Sequence, residues 1–149
     1  MTSIIVSREI DAPKDLVFQT VADIRNFAKA CPKIVDYEFL SDTQTGIGTR
    51  FRETREMQGK QAVTELEVTE YVENEHIRLE ANSHGTIWDS LFSVSEHAGV
   101  TTLTLTMHAH AYKLLARVLN FLIQGMIKKE VAKDLEQVKT YCEQLASSA

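Results

Sequence analysis

Residues 51–67, FRETREMQGKQAVTELE, decide how this chain folds. Gln58-Gly59 has the glycine a two-residue hairpin turn needs, and it sits between two runs of strand-like composition. With that turn at the centre, Arg55 faces Ala62, Glu53 faces Thr64 and Phe51 faces Leu66. On the opposite side of the ribbon Arg52 faces Glu65 and Arg50 faces Glu67. Opposite charges directly across a ladder suit a face in water. The Phe51/Leu66 side therefore points inward, and the period of two carries Glu53 and Arg55 inward with it.

Working outward, strand signals fall at residues 4–10, 35–40, 49–57, 61–71, 76–81, 86–95 and 101–111. Turn signals separate most of them, at Gly46-Ile47-Gly48, Glu73-Asn74, Ser83 to Gly85 and Ala98-Gly99. The inward face can be passed from hairpin to hairpin. Leu66 and Val68 hand it to Ile77 and Leu79, these to Trp88, Ser90 and Phe92, and these to Leu103, Leu105 and Met107. No strand has to be flipped. The spacing predicts a seven-stranded antiparallel sheet with one dry face.

Between the first two strands, Asp11 is placed to cap a helix whose first turn holds Pro13. Asp23 is placed to cap a second short helix that ends near Cys31-Pro32. Residues 113–145 read as one long helix. Its second half carries a narrow stripe of Ile127, Val131, Leu135, Val138, Cys142 and Leu145. Its first half, including Leu114, Leu115, Val118, Leu119, Phe121, Leu122, Ile123 and Met126, is apolar around most of its circumference, and Gly125 is a candidate bend. A helix of that kind needs cover from a ligand, a partner chain or a membrane surface. There is no repeat, low-complexity segment or linker, so residues 1–149 are expected to form one domain.

At 149 residues and 44% hydrophobic, the chain can bury a real core. A net charge of −5 argues against nucleic acid as the main partner, because phosphate binding needs clustered Lys and Arg. Cys31 and Cys142 show no metal or redox spacing and read as free thiols. No signal peptide precedes the first strand, and no apolar run approaches the ~18 residues of a membrane span. The expectation is a cytoplasmic protein. No phosphate loop, zinc spacing or nucleophile motif is visible, so neither a cofactor nor a metal is expected.

The run Ile10-Asp11-Ala12-Pro13-Lys14-Asp15-Leu16-Val17-Phe18, then Val21 through Phe27 and Pro32, resembles the opening of the START-like (SRPBCC) superfamily. The closing run from Leu135 to Glu143 is similar to that superfamily's last helix. The superfamily holds polyketide cyclase/dehydrase, lipid-transport and coenzyme Q-binding families. The resemblance implies an α+β helix-grip fold, with the sheet wrapped around the long helix and an apolar cavity between them. Gly46-Ile47-Gly48 is shorter than the glycine-rich loop of the plant pathogenesis-related branch, so the chain looks like the bacterial branch.

The implied ligand site draws on the inward face: Tyr37, Phe39, Phe51, Glu53, Arg55, Thr64, Leu66, Leu79, Trp88, Ser90, Phe92, Leu105 and Met107. The aromatic residues serve equally as core or as pocket wall, while Tyr37, Thr64 and Ser90 offer hydroxyls. Glu53 and Arg55 admit three readings: a solvated ion pair at the cavity mouth, a pair that orients a ligand, and an acid/base pair. His108 and His110 share a face but point outward, with Asp89 opposite His108, which reads as a surface pair. His84 has inward parity. The leading functional expectation is binding or carriage of an apolar or amphiphilic small molecule such as a lipid, quinone or polyketide-like compound. The alternative is a cyclase or dehydratase, and a third, resting on the resemblance and on the broad apolar half-helix, is a partner role in respiratory-quinone biology. The broad apolar half-helix adds a homodimer contact or a cavity gate as expectations.

Overall fold

In the computed structural model, which describes residues 2–148, Gln58 and Gly59 both take positive φ, 52° and 77°. That is the two-residue turn whose twist matches the flanking strands. The expected register follows it, with Phe51 opposite Leu66, Glu53 opposite Thr64 and Arg55 opposite Ala62. On the wet side, Arg52 bridges Glu65 at 3.0 Å and also Glu38 at 3.1 Å.

In chain order the elements are β1 (Thr2–Ile10), α1 (Lys14–Ala22), α2 (Ile24–Ala30), β2 (Ile34–Phe39), β3 (Arg50–Met57), β4 (Lys60–Val72), β5 (His76–Ser83), β6 (Thr86–His97), β7 (Val100–Ala111) and α3 (Leu114–Ser148). The strands form one antiparallel sheet in the order β1-β7-β6-β5-β4-β3-β2. β1 and β2 are consecutive strands yet lie at opposite edges, so α1 and α2 carry the chain across the sheet. The inward face runs without a break: Val68 opposite Leu79, Leu79 opposite Ser90, Ser90 opposite Met107 and Phe92 opposite Leu105. One extra residue at Thr69 shifts the register between β4 and β5, which keeps Val68 and Tyr71 on the same side.

One helix expectation needs correction. Asp11 does not cap α1. The helix starts from Pro13 in an extended conformation with no side-chain cap, and the Asp11 N–H instead donates to Glu143 Oε2 at 2.9 Å. Asp23 does cap α2, accepting from the Arg25 N–H. α3 is one continuous helix of 35 residues through Gly125, so the glycine does not end it. None of the described helices is long and apolar enough to cross a membrane.

The core is lopsided along α3. Leu135, Val138 and Cys142 are fully buried together with Ile10, Val17, Phe18, Ile77 and Leu103. Cys31 and Cys142 are buried free thiols, and burial above all, with Asp134 adding, pushes the Cys31 thiol up to about 12. The first half of α3 touches the fold through little more than Ala116 and Asn120, whose side-chain amide donates to Thr86 Oγ1 at 2.9 Å.

That asymmetry makes a direct stability forecast. Leu135→Ala should cost about 2–5 kcal/mol through the cavity it leaves. Leu115→Ala, at a position 72% exposed, should change stability by no more than about 0.5 kcal/mol. Urea denaturation of the two variants checks both, and equal losses would mean that the first half of α3 is packed after all.

Candidate functional site

β3 places Phe51, Glu53, Arg55 and Met57 on one face at a spacing of two. Above them, α3 brings Met126, Ile127, Glu130, Val131 and Asp134 down at helical spacing. Between strands and helix lies a cavity of about 310 Å³. Val21, Ala22, Ile24 and Phe27 close its side, and Leu66, Leu79, Ser90, Phe92, Leu105 and Met107 form the rest of its floor. Its lining is predominantly apolar, with the charged groups gathered on one wall.

That wall is an ionic triad. Arg55 Nε donates to Glu53 Oε1 at 2.5 Å, and Arg55 Nη1 donates to both oxygens of Asp134, at 3.1 and 2.9 Å. The three side chains are 20%, 12% and 9% exposed for Arg55, Glu53 and Asp134. The solvated-rim reading of the Glu53–Arg55 pair therefore does not hold. Glu130, one turn before Asp134, lines the cavity too and is matched separately by Lys33 at 2.8 Å. Arg55 Nη2 and Glu53 Oε2 make no hydrogen bond to any described residue, so one donor and one acceptor remain unused on the cavity wall.

Two carboxyls share one guanidinium. Burial opposes the charge on Arg55, but Glu53 and Asp134 outweigh it and hold its pKa above the ordinary value. The Asp134 carboxyl is raised, first by burial and then by the neighbouring Glu53 and Glu130, with Arg55 offsetting only part of the rise. Asp134 thus holds a proton more readily than an ordinary aspartate.

Of the residues expected at the site, Phe51, Glu53, Arg55, Leu66, Leu79, Ser90, Phe92, Leu105 and Met107 line the cavity. Four do not. Tyr37 and Phe39 lie opposite Glu53 and Phe51, in line with the expected inward face, but belong to the edge strand β2. There the Arg25 guanidinium stacks over Phe39 at 5.4 Å and Tyr37 is exposed. Thr64 sits towards the hairpin tip, where neighbouring Ala62 is already in solvent. Trp88 is half-buried between Ala81 and Ala109 on the inward face, beyond the end of the cavity. His84 lies in the turn at φ 50° and is exposed, so its parity leads nowhere. His108 lies opposite Asp89 as expected, yet it bonds Ser3 Oγ at 2.8 Å while Asp89 binds Arg78.

Asp134 is the residue that sequence reasoning passed over, although a signal was present. It falls on the stripe Ile127, Val131, Asp134, Val138, at spacings of four, three and four. An acid at a core position of an amphipathic helix needs a buried cation, and the inward-facing Arg55 supplies it.

The raised Asp134 carboxyl gives a pH dependence with a definite sign. It binds its proton more tightly folded than unfolded, so within the window above the ordinary carboxylate value the native state holds more protons. Its contribution to stability therefore falls as pH rises through that window. Asp134→Asn removes the titration. Urea unfolding across pH should show wild type losing ground to the variant as pH rises, and parallel curves would contradict the raised carboxyl.

Residues 1–143 match the model of the Polyketide cyclase / dehydrase and lipid transport family. A search of curated proteins finds no match. Among solved structures, the chain is similar to TTHA0849 from Thermus thermophilus, with TM-score 0.78 and 18% identity over 99% of this chain and 100% of that one. It is similar to a START superfamily protein from Mycobacterium smegmatis, with TM-score 0.70 and 19% identity over 98% and 97% of the two chains. It also resembles the Zhui aromatase/cyclase from a Streptomyces species, with TM-score 0.74 and 16% identity over 96% and 94%. Likeness at these identities shows the shared helix-grip fold, and the family match adds the membership: this chain belongs to the polyketide cyclase/dehydrase and lipid transport family.

Proposed function

We propose that the protein binds and carries an amphiphilic small molecule, a lipid, quinone or polyketide-like compound, in the cavity between the sheet and α3. The observation that carries this reading is an apolar cavity whose charged groups all lie on one wall. About 310 Å³ is at the small end of the range for ligand pockets. Apolar walls supply affinity without direction, whereas Glu53, Arg55 and Asp134 give the ligand an orientation.

The charge count on that wall selects the polar end. Two carboxyls and one guanidinium leave it negative, or neutral once Asp134 holds a proton. A carboxylate head would add a like charge in a poorly solvated place. A hydroxyl or amine can donate to the unused Glu53 oxygen and, as hydroxyl, accept from the unused Arg55 N–H. The favoured ligand is therefore a neutral or cationic donor with an apolar body.

The raised Asp134 carboxyl favours a second reading, an enzyme of the cyclase or dehydratase kind, because a buried acid that holds its proton more tightly than usual suits proton transfer. The aromatase/cyclase likeness is in keeping with it. The two readings part on one result: an Asp134→Asn variant that still binds a compound but no longer converts it marks an enzyme.

Mass spectrometry of the purified protein should find a bound amphiphile with a hydroxyl or amine end. In titration, a long-chain alcohol should bind at least about tenfold more tightly than the carboxylate of the same length, roughly 1.4 kcal/mol. Arg55→Met should weaken the alcohol by ~2 kcal/mol or more, about thirtyfold, and leave a hydrocarbon of that length unchanged. Equal loss for alcohol and hydrocarbon would mean a loosened fold and remove the orienting role.

A further inference from the structure

The outward face of the first half of α3 has the wrong polarity for a helix in water. Leu114, Leu115, Val118, Phe121, Leu122 and Met126 are 50–76% exposed. At about 100° per residue they fall within an arc of about 140°, in which the other residues are Gly125 and Lys129. The inward edge of the same half-helix holds the buried Ala116 and Asn120. The half-helix is thus apolar on its outer face as well as on its inner one, where a helix in water would carry polar residues outside.

Charge says what covers this face. Residues 113–129 contain four of the chain's 16 Lys and Arg, namely Lys113, Arg117, Lys128 and Lys129, and none of its 21 Asp and Glu. All four are exposed or half-exposed and sit at the two ends of the apolar patch or along its flank. A protein of net charge −5 has thus kept one segment wholly cationic, and that same segment gathers Leu114, Leu115, Val118, Phe121, Leu122 and Met126 in solvent. Two copies pairing through this face would bring both sets of cations together with no acid from the segment to answer them, which opposes a dimer. An apolar face rimmed by Lys and Arg suits the surface of an anionic bilayer, with the apolar side chains among the acyl chains and the cations at the phosphates.

We infer that residues 113–129 form a docking surface for anionic lipid membranes. The placement has a purpose within the fold, because Met126 is half exposed on this face and also lines the cavity. Docking sets the cavity mouth against the bilayer, so a ligand can pass between the two without crossing water.

The test is co-sedimentation of the full chain with vesicles. The protein should pellet with phosphatidylglycerol:phosphatidylcholine vesicles and remain in the supernatant with pure phosphatidylcholine, and added salt should weaken the binding. Leu122→Glu changes a side chain 70% exposed and leaves the core untouched; it should abolish sedimentation. Lys128→Glu with Lys129→Glu should reduce it about tenfold or more, as the loss of two basic contacts requires. Wild type that fails to bind the anionic vesicles overturns the inference, as does sedimentation unaffected by both variants. Light scattering that shows a dimer in wild type and a monomer in Leu122→Glu would also overturn it and assign the face to a second copy. Cavity binding measured in vesicle-free buffer stands or falls separately.

Discussion

Arg55 ties α3 to β3 at the charged wall of the cavity, and the polar character of the site depends on that contact. Its guanidinium bonds both oxygens of Asp134 and one oxygen of Glu53. Such a cluster is a poor source of stability, since desolvating three charged groups offsets much of their attraction. Its retention makes sense where the polar atoms are needed in the cavity.

The triad also marks the point along α3 at which its packing changes. At about 1.5 Å per residue the 35-residue helix is about 52 Å long, well beyond the reach of the sheet face it crosses. Past Asp134 the helix meets β1, α1 and α2 and buries Leu135, Val138 and Cys142 completely. Before Asp134 it spans the cavity and then runs on with little below it except the Asn120–Thr86 bond. A helix end with so few buried contacts is the part of the fold most easily displaced.

Sequence carried the sheet and lost the edges of the site, for a physical reason in each case. The β3–β4 register was legible because the Arg52–Glu65 pairing and the Phe51–Leu66 pairing sort the two faces independently. Periodicity then fixed which face each residue takes. It could not fix position along the face, which is why Tyr37, Phe39, Thr64 and Trp88 share the inward side yet miss the cavity. How far a side chain lies from α3 depends on strand order and on the extra residue at Thr69, neither of which alternation reports. The α1 and α3 residues of the lining were beyond reach in another way, because a stripe of apolar residues looks alike whether it meets protein or a void. Asp134 alone broke that stripe.

Family membership leaves carriage and catalysis open, and the wall itself argues for carriage as the first role. A proton-transfer catalyst needs an acid or base free to reach the reacting atom. Both oxygens of Asp134 accept from Arg55 Nη1, so a proton binds there only at the expense of that ionic contact. Glu53 Oε2 and Arg55 Nη2 are the groups left unused, and an acceptor beside a donor recognises a hydroxyl without needing to change its bonding. A guanidinium tied to two carboxyls is held in place, which suits it to orient the polar end of a ligand.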